Sequence, residues 1–251
     1  MTFESLIATA AATSGVFFDF DGPVCDVFAG YPAPDVAKEL AAILARIDAT
    51  AGERAIETDD PMEVLRLAPR AGEDALHRIE EALTAAEVSA VKVAGIPVPG
   101  AVESLRAAHK SGRKIAIVSN NSAECVREFL KLHDLDHLVH QVIGRHPNRP
   151  DLMKPSPYSL RRAATELGIA SSACVLIGDS STDIEAAIRA GSMAIGFANK
   201  PGKEAVLLKA GAEVVIKTMA TVAEALAVPT IGRCPEQGQA TTTAKKQTRG
   251  Q

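Results

Sequence analysis

Short apolar runs alternate with helical patterns from residue 97 onward, and this alternation narrows the fold more than any other feature of the chain. After Pro97, Pro99 and Gly100, the spacing predicts helix 101–111, strand 114–118, helix 122–133 and a weaker strand near 139–144. Helix 156–167, strand 173–177, helix 182–190 and strand 193–197 follow, then helix 203–210, strand 214–216 and helix 222–228. Strands separated by helices cannot pair as hairpins. They pair in parallel through right-handed crossovers, with helices on both faces of the sheet. The fold class is therefore α/β, with a Rossmann-like core whose parallel sheet is flanked by helices.

One further strand precedes this series. Gly15-Val16-Phe17-Phe18 runs without interruption into Asp19-Phe20-Asp21-Gly22. A continuous apolar run ending in turn residues reads as a strand buried on both faces. Strand alternation puts Asp19 and Asp21 on one side and Phe20 on the other. Two carboxylates thus emerge at the carboxyl end of a buried strand, where open α/β sheets bind ligands.

Between this strand and the rest of the sheet lies a helical block. Asp35 can cap a helix carrying Val36, Leu40, Ile43, Leu44 and Ile47, and Asp59 or Asp60 before Pro61 starts a second. A third pattern runs over 72–93, and no strand interrupts 32–93. We therefore expect a core of residues 1–24 and 96–228, an inserted all-helical cap of residues 25–95, and a disordered tail of residues 229–251, which is poor in apolar side chains. Arg54, Arg66, Arg70 and His77 of the cap read as solvated helix faces. The segment before Ser14 is either a short helix or a loose arm.

Composition removes several classes. A formal net charge of −4 and an absence of Trp give neither a basic field nor stacking platforms for nucleic acid. Cys25, Cys125, Cys174 and Cys234 lack metal-ligand spacing, which favours reduced thiols in a cytoplasmic protein. Met1–Ser14 has no basic n-region, and no apolar run approaches a membrane span.

The polar residues gather at strand ends. Asp19 and Asp21 end one strand, Ser119 another, and Gly178-Asp179 a third, with Asp183 one helical turn after Asp179. Lys154 sits in Met153-Lys154-Pro155-Ser156-Pro157, a loop entering a helix. Carboxylates, a hydroxyl and an ammonium at one sheet edge suit a phosphoryl dianion with a divalent cation.

In this ordered combination the chain resembles the haloacid dehalogenase superfamily, in particular its phosphatase branch with a helical cap after the first motif. Asp19-Phe20-Asp21-Gly22, Ser119, Lys154 and Gly178-Asp179-Ser180-Ser181-Thr182-Asp183 stand where that family carries its four motifs. The resemblance implies Asp19 as nucleophile, forming an aspartyl-phosphate, and Asp21 as the acid and base for leaving group and water. It implies Mg2+ held by Asp19, the Asp21 carbonyl and Asp179, and Lys154 as a second positive charge. Ser119 and the Asn120 amide would bind the phosphoryl group, with Asp183 supporting Lys154 or a metal-bound water. Asp21 favours phosphate chemistry over dehalogenation. Pro23 replaces the usual polar residue and stiffens the entry to the cap.

A lid over the site favours small phosphorylated metabolites, of phosphoglycolate or sugar-phosphate type. A phosphomutase of the same fold, or a catalytically silent binding protein, are the alternatives. The sequence leaves monomer and homodimer equally open.

Overall fold

The structure, a computed structural model, describes residues 3–228. The expected disordered tail lies outside the described residues, as does Cys234. A six-stranded parallel sheet runs in the order β3-β2-β1-β4-β5-β6, formed by β1 (Gly15–Phe18), β2 (Lys114–Val118), β3 (Gln141–Ile143), β4 (Cys174–Gly178), β5 (Met193–Phe197) and β6 (Val214–Ile216). The order reverses at β1, which pairs with β2 on one side and β4 on the other. Such a reversal opens a crevice at the carboxyl ends of the strands. It is there that the polar strand ends meet.

Alternation along β1 divides the interior. Val16, Phe18 and Phe20 join one apolar cluster, and Phe17 joins another on the opposite face. The first face is covered by α1 (Phe3–Ala11), α6 (Ala101–Lys110), α7 (Ala123–Leu132) and α11 (Met219–Leu226). The second carries α8 (Tyr158–Leu167), α9 (Ser181–Ala190) and α10 (Lys203–Ala210). The segment before Ser14 is thus a helix rather than an arm. Buried Leu6 and Ala10 hold it down, and the buried Arg113 guanidinium donates to Ala10 O and Leu226 O.

The helical block contains α2 (Ala33–Ile47), α3 (Ala49–Ala55), α4 (Pro61–Leu67) and α5 (Glu73–Val91). Asp48 and Asp60 cap α3 and α4 through their side chains. The sequence predicts no helix at α3, whose Ala-Gly composition carries no apolar stripe. Val36, Leu40, Leu44, Val64, Leu65, Ile79 and Leu83 form its buried interior, together with Met153 from the loop before Lys154. At the far end of α5, Ala90 and Val91 pack into the sheet's own core. Among the described residues, no helix is long and apolar enough to cross a membrane.

Candidate active site

Lys154 is the centre of the site. Its ammonium is almost wholly buried, 2.7 Å from Asp19 Oδ1 and 2.5 Å from Asp183 Oδ1, and donates to Val118 O at 3.2 Å. These partners lie at the carboxyl ends of three strands: Asp19 follows β1, Val118 ends β2, and Asp183 follows β4 in the first turn of α9. Their convergence follows from the strand order, because β1 stands between the other two.

Local chemistry fixes each group. Asp183 sits in the first turn of α9, where Ser180 and Asp183 form a reciprocal capping box: Asp183 Oδ2 accepts from the Ser180 N–H and hydroxyl. Gly178 leaves no room for a side chain against Asp183, so the strand can end beside it. Asp19 Oδ1 also accepts from the Phe20 N–H at 2.7 Å. Asp21 Oδ1 accepts from the Val27 N–H at 3.0 Å, tying the carboxyl to the segment that leads into the helical block. Gly22 takes φ +104°, and a Cβ there would stand 2.5 Å from the Asp179 carboxyl carbon. The tight turn and the close approach both require glycine.

Electrostatics separates the carboxyls. Burial holds the Asp19 carboxyl well above the usual carboxylate range; Asp183 and Asp179 add to this, and Lys154 opposes it. Burial acts in the same direction on Asp183, but Lys154 and the Ser180 donors outweigh it, leaving its pKa below the ordinary value. Burial would lower the Lys154 pKa, yet Asp183 and Asp19 raise it above the usual lysine value. Lys154 and Asp183 are therefore a settled ion pair. Positive charge placed near Asp19 favours its charged form, as Lys154 already does. Asp21 is pushed up to about 6, mainly by burial, against the pull of the Val27 N–H.

A hard divalent cation suits the donors present. Asp19, Asp179 and Asp183 each offer an oxygen, and the three oxygens lie within 4.8 Å of one another. All are carboxylates, the donor type of Mg2+. The Asp21 carbonyl accepts from no protein donor among the described residues.

Sequence reasoning missed two groups around Asp179. Lys203 Nζ lies 2.5 Å from Asp179 Oδ2, and Asn199 Nδ2 donates to the same oxygen at 2.9 Å. Both follow β5, so the strand-end logic that picked out Ser119 would have found them one strand further out.

The loop after β2 is more constrained than its sequence suggested. The Ser119 hydroxyl donates to Asn121 Oδ1 and accepts from the Asn121 N–H, both at 3.0 Å. The Asn120 side chain accepts from the Lys154 N–H at 2.8 Å. The Asn120 N–H has no protein acceptor among the described residues, so it remains available to a ligand. Arg66, expected on a solvated face, instead donates from α4 to Lys154 O at 2.9 Å and to Pro150 O at 3.3 Å. Each carbonyl already accepts one bond, Pro150 O from the Met153 N–H and Lys154 O from Asn120 Nδ2, and the guanidinium takes up the acceptor capacity left on both.

Residues 13–191 match a family model described as haloacid dehalogenase-like hydrolase. The chain is 33% identical over 93 residues to the phosphoglycolate phosphatase of Aliivibrio fischeri, covering 37% of this chain and 40% of that protein. It is 30% identical over 104 residues to the pyrophosphatase PpaX of Halalkalibacterium halodurans, covering 41% of this chain and 47% of that protein. The chain thus spans less than half the length of these curated relatives. Among solved structures, a HAD family hydrolase from Deinococcus radiodurans with bound phosphate and sodium is 25% identical, with a TM-score of 0.54. That match covers 88% of this chain and all of the other. A β-phosphoglucomutase from Clostridium difficile superimposes with a TM-score of 0.64 at 20% identity, covering 85% of this chain and 97% of its own, a likeness of fold.

Proposed function

Because the chain belongs to the haloacid dehalogenase-like hydrolases, we propose that it is a Mg2+-dependent phosphatase acting on a small-metabolite phosphate monoester through an aspartyl-phosphate at Asp19. The observation that carries this reading is the buried Lys154 ammonium between Asp19 and Asp183, beside Asp179.

A carboxylate attacking a phosphate dianion meets repulsion that only nearby positive charge can offset. Lys154 supplies one such charge at 2.7 Å from the attacking side chain. Asp19, the Asp21 carbonyl and Asp179 would hold Mg2+. When bound, it would supply further charge neutralisation to the nucleophile and the phosphoryl oxygens. The Asn120 N–H and the Ser119 hydroxyl would bind the phosphoryl group, the hydroxyl turning from Asn121 to do so. Asp21, with its raised pKa, would give its proton to the leaving oxygen and then take one from water. Asp183 keeps Lys154 charged and aimed at Asp19. Residues 25–95 would act as the cap, excluding water once substrate is bound.

The names of the relatives suggest where to look for substrate. Phosphoglycolate and pyrophosphate belong in a screen with sugar phosphates and a generic aryl phosphate, read by phosphate release with Mg2+ and with EDTA. Chelator-sensitive release from a small monoester supports the proposal. Release indifferent to EDTA, or none from any monoester, contradicts it.

A further inference from the structure

Arg145 follows Gly144 at the end of β3, and its side chain is completely buried although its main chain enters a loop. Gly144 presses against the backbone at the start of α7, with no space for a side chain. That approach brings the Arg145 N–H to Asn121 O at 2.8 Å, while the guanidinium donates from Nη1 to Asn120 O at 2.9 Å. One residue therefore grips two successive carbonyls of the loop that carries Ser119 and Asn120.

The rest of the guanidinium is held from the helical block. Nε donates to Glu80 Oε1 and Nη1 to Glu87 Oε1, each at 2.8 Å, and Nη2 reaches Thr84 Oγ1 at 3.2 Å. All three acceptors lie on α5. Glu87, fully buried, also accepts from Asn121 Nδ2 at 3.2 Å and the Ser122 N–H at 2.9 Å. The planar fork of arginine suits such a junction, because its donors point in fixed directions.

We propose that Arg145 is a positioning residue for the phosphoryl-binding loop, with Glu80 and Glu87 of α5 setting its orientation. Holding Asn120 O fixes the 120–121 peptide, whose N–H meets Ser119 Oγ, and the same loop supports the Lys154 main chain through Asn120 Oδ1. Arg145 touches no reacting atom. It acts through Ser119, Asn120 and Lys154, and it makes their placement depend on the cap helix. The inference rests on the phosphatase reading for what the loop binds.

The test compares Arg145→Lys and Glu80→Gln with Arg113→Lys, an equally buried arginine far from the loop. Thermal unfolding, KM and kcat for an aryl phosphate, half-activation by Mg2+, and binding of inorganic phosphate by calorimetry are measured on each. Arg145→Lys should weaken phosphate binding and raise KM at least tenfold, with kcat changed less than threefold and Mg2+ activation unmoved. Glu80→Gln should shift phosphate binding the same way by about threefold, and it serves alone should Arg145→Lys not fold. Arg113→Lys should lower the unfolding temperature only. Phosphate binding unchanged in the Arg145 or Glu80 variant, or shifted no more than by Arg113→Lys, overturns the proposal. Phosphate binding without turnover in the parent protein would sink the phosphatase reading while leaving this one measurable. A parent protein that binds no phosphate at millimolar concentration sinks both.

Discussion

Lys154 Nζ lies 2.5 Å from Asp183 Oδ1, and neither side chain has appreciable contact with solvent. Removing one partner of a buried pair strands the other as an uncompensated charge, at a cost of about 3–5 kcal/mol. Lys154→Met should therefore lose about that much stability and abolish turnover, because Asp19 and Asp183 then face each other without a cation. Adding Asp183→Asn should recover part of the stability and none of the activity. Denaturant melts of the two single variants and the double variant give the coupling directly. Additive losses would mean that the two groups act independently.

Asp19→Asn keeps the volume of the side chain and removes a charge that burial, Asp183 and Asp179 all oppose. Lys154 keeps its pairing to Asp183 in this variant. The expected outcome is an unfolding temperature in EDTA no lower than that of the parent, with aryl phosphate turnover at background. A variant retaining parental turnover would move the nucleophile elsewhere.

Stability in EDTA should depend on Asp21 with a definite sign. Its folded pKa, about 6, lies above the ordinary 3.8, so the folded state binds the proton more tightly than the unfolded one. The associated stability is fully present below about pH 4 and is lost as pH rises through about 6. The side chain is partly exposed, so the change should be about 2 kcal/mol. Urea melts across that interval should show a shallower decline for Asp21→Asn than for the parent.

Gly22→Ala places a side chain at φ +104° and against the Asp179 carboxyl, which must shift. We expect a loss of about 1–2 kcal/mol and a rise of about tenfold in the Mg2+ concentration for half-maximal activity. Calorimetric titration with Mg2+ reads the second effect without turnover. Unchanged Mg2+ affinity would show that Asp179 is not a ligand.

Much of the site was legible because strand ends carry it. Asp19, Ser119 and Asp179 each follow an apolar run, and the parallel arrangement obliges those ends to share an edge. What stayed hidden depends on contacts between distant parts of the chain. Arg145 looks like a loop cation until Glu80 and Glu87, from a helix far earlier in sequence, close around it. Arg66 reads as solvated because its acceptors are main-chain carbonyls, which leave no mark in the sequence. Lys203 and Asn199 stay hidden because β5 lies two strands from the reversal at β1, where loop polarity reads as exposure to water.

The central claim is a covalent bond between Asp19 and phosphorus. A single turnover with an aryl phosphate and Mg2+, quenched in acid, reduced with borohydride and mapped by peptide mass spectrometry, tests it most directly. Reduction of an acyl phosphate should convert Asp19 to homoserine in the parent protein, and in no other position. Phosphate released with Asp19 unmodified, or conversion at another carboxylate, would contradict the account.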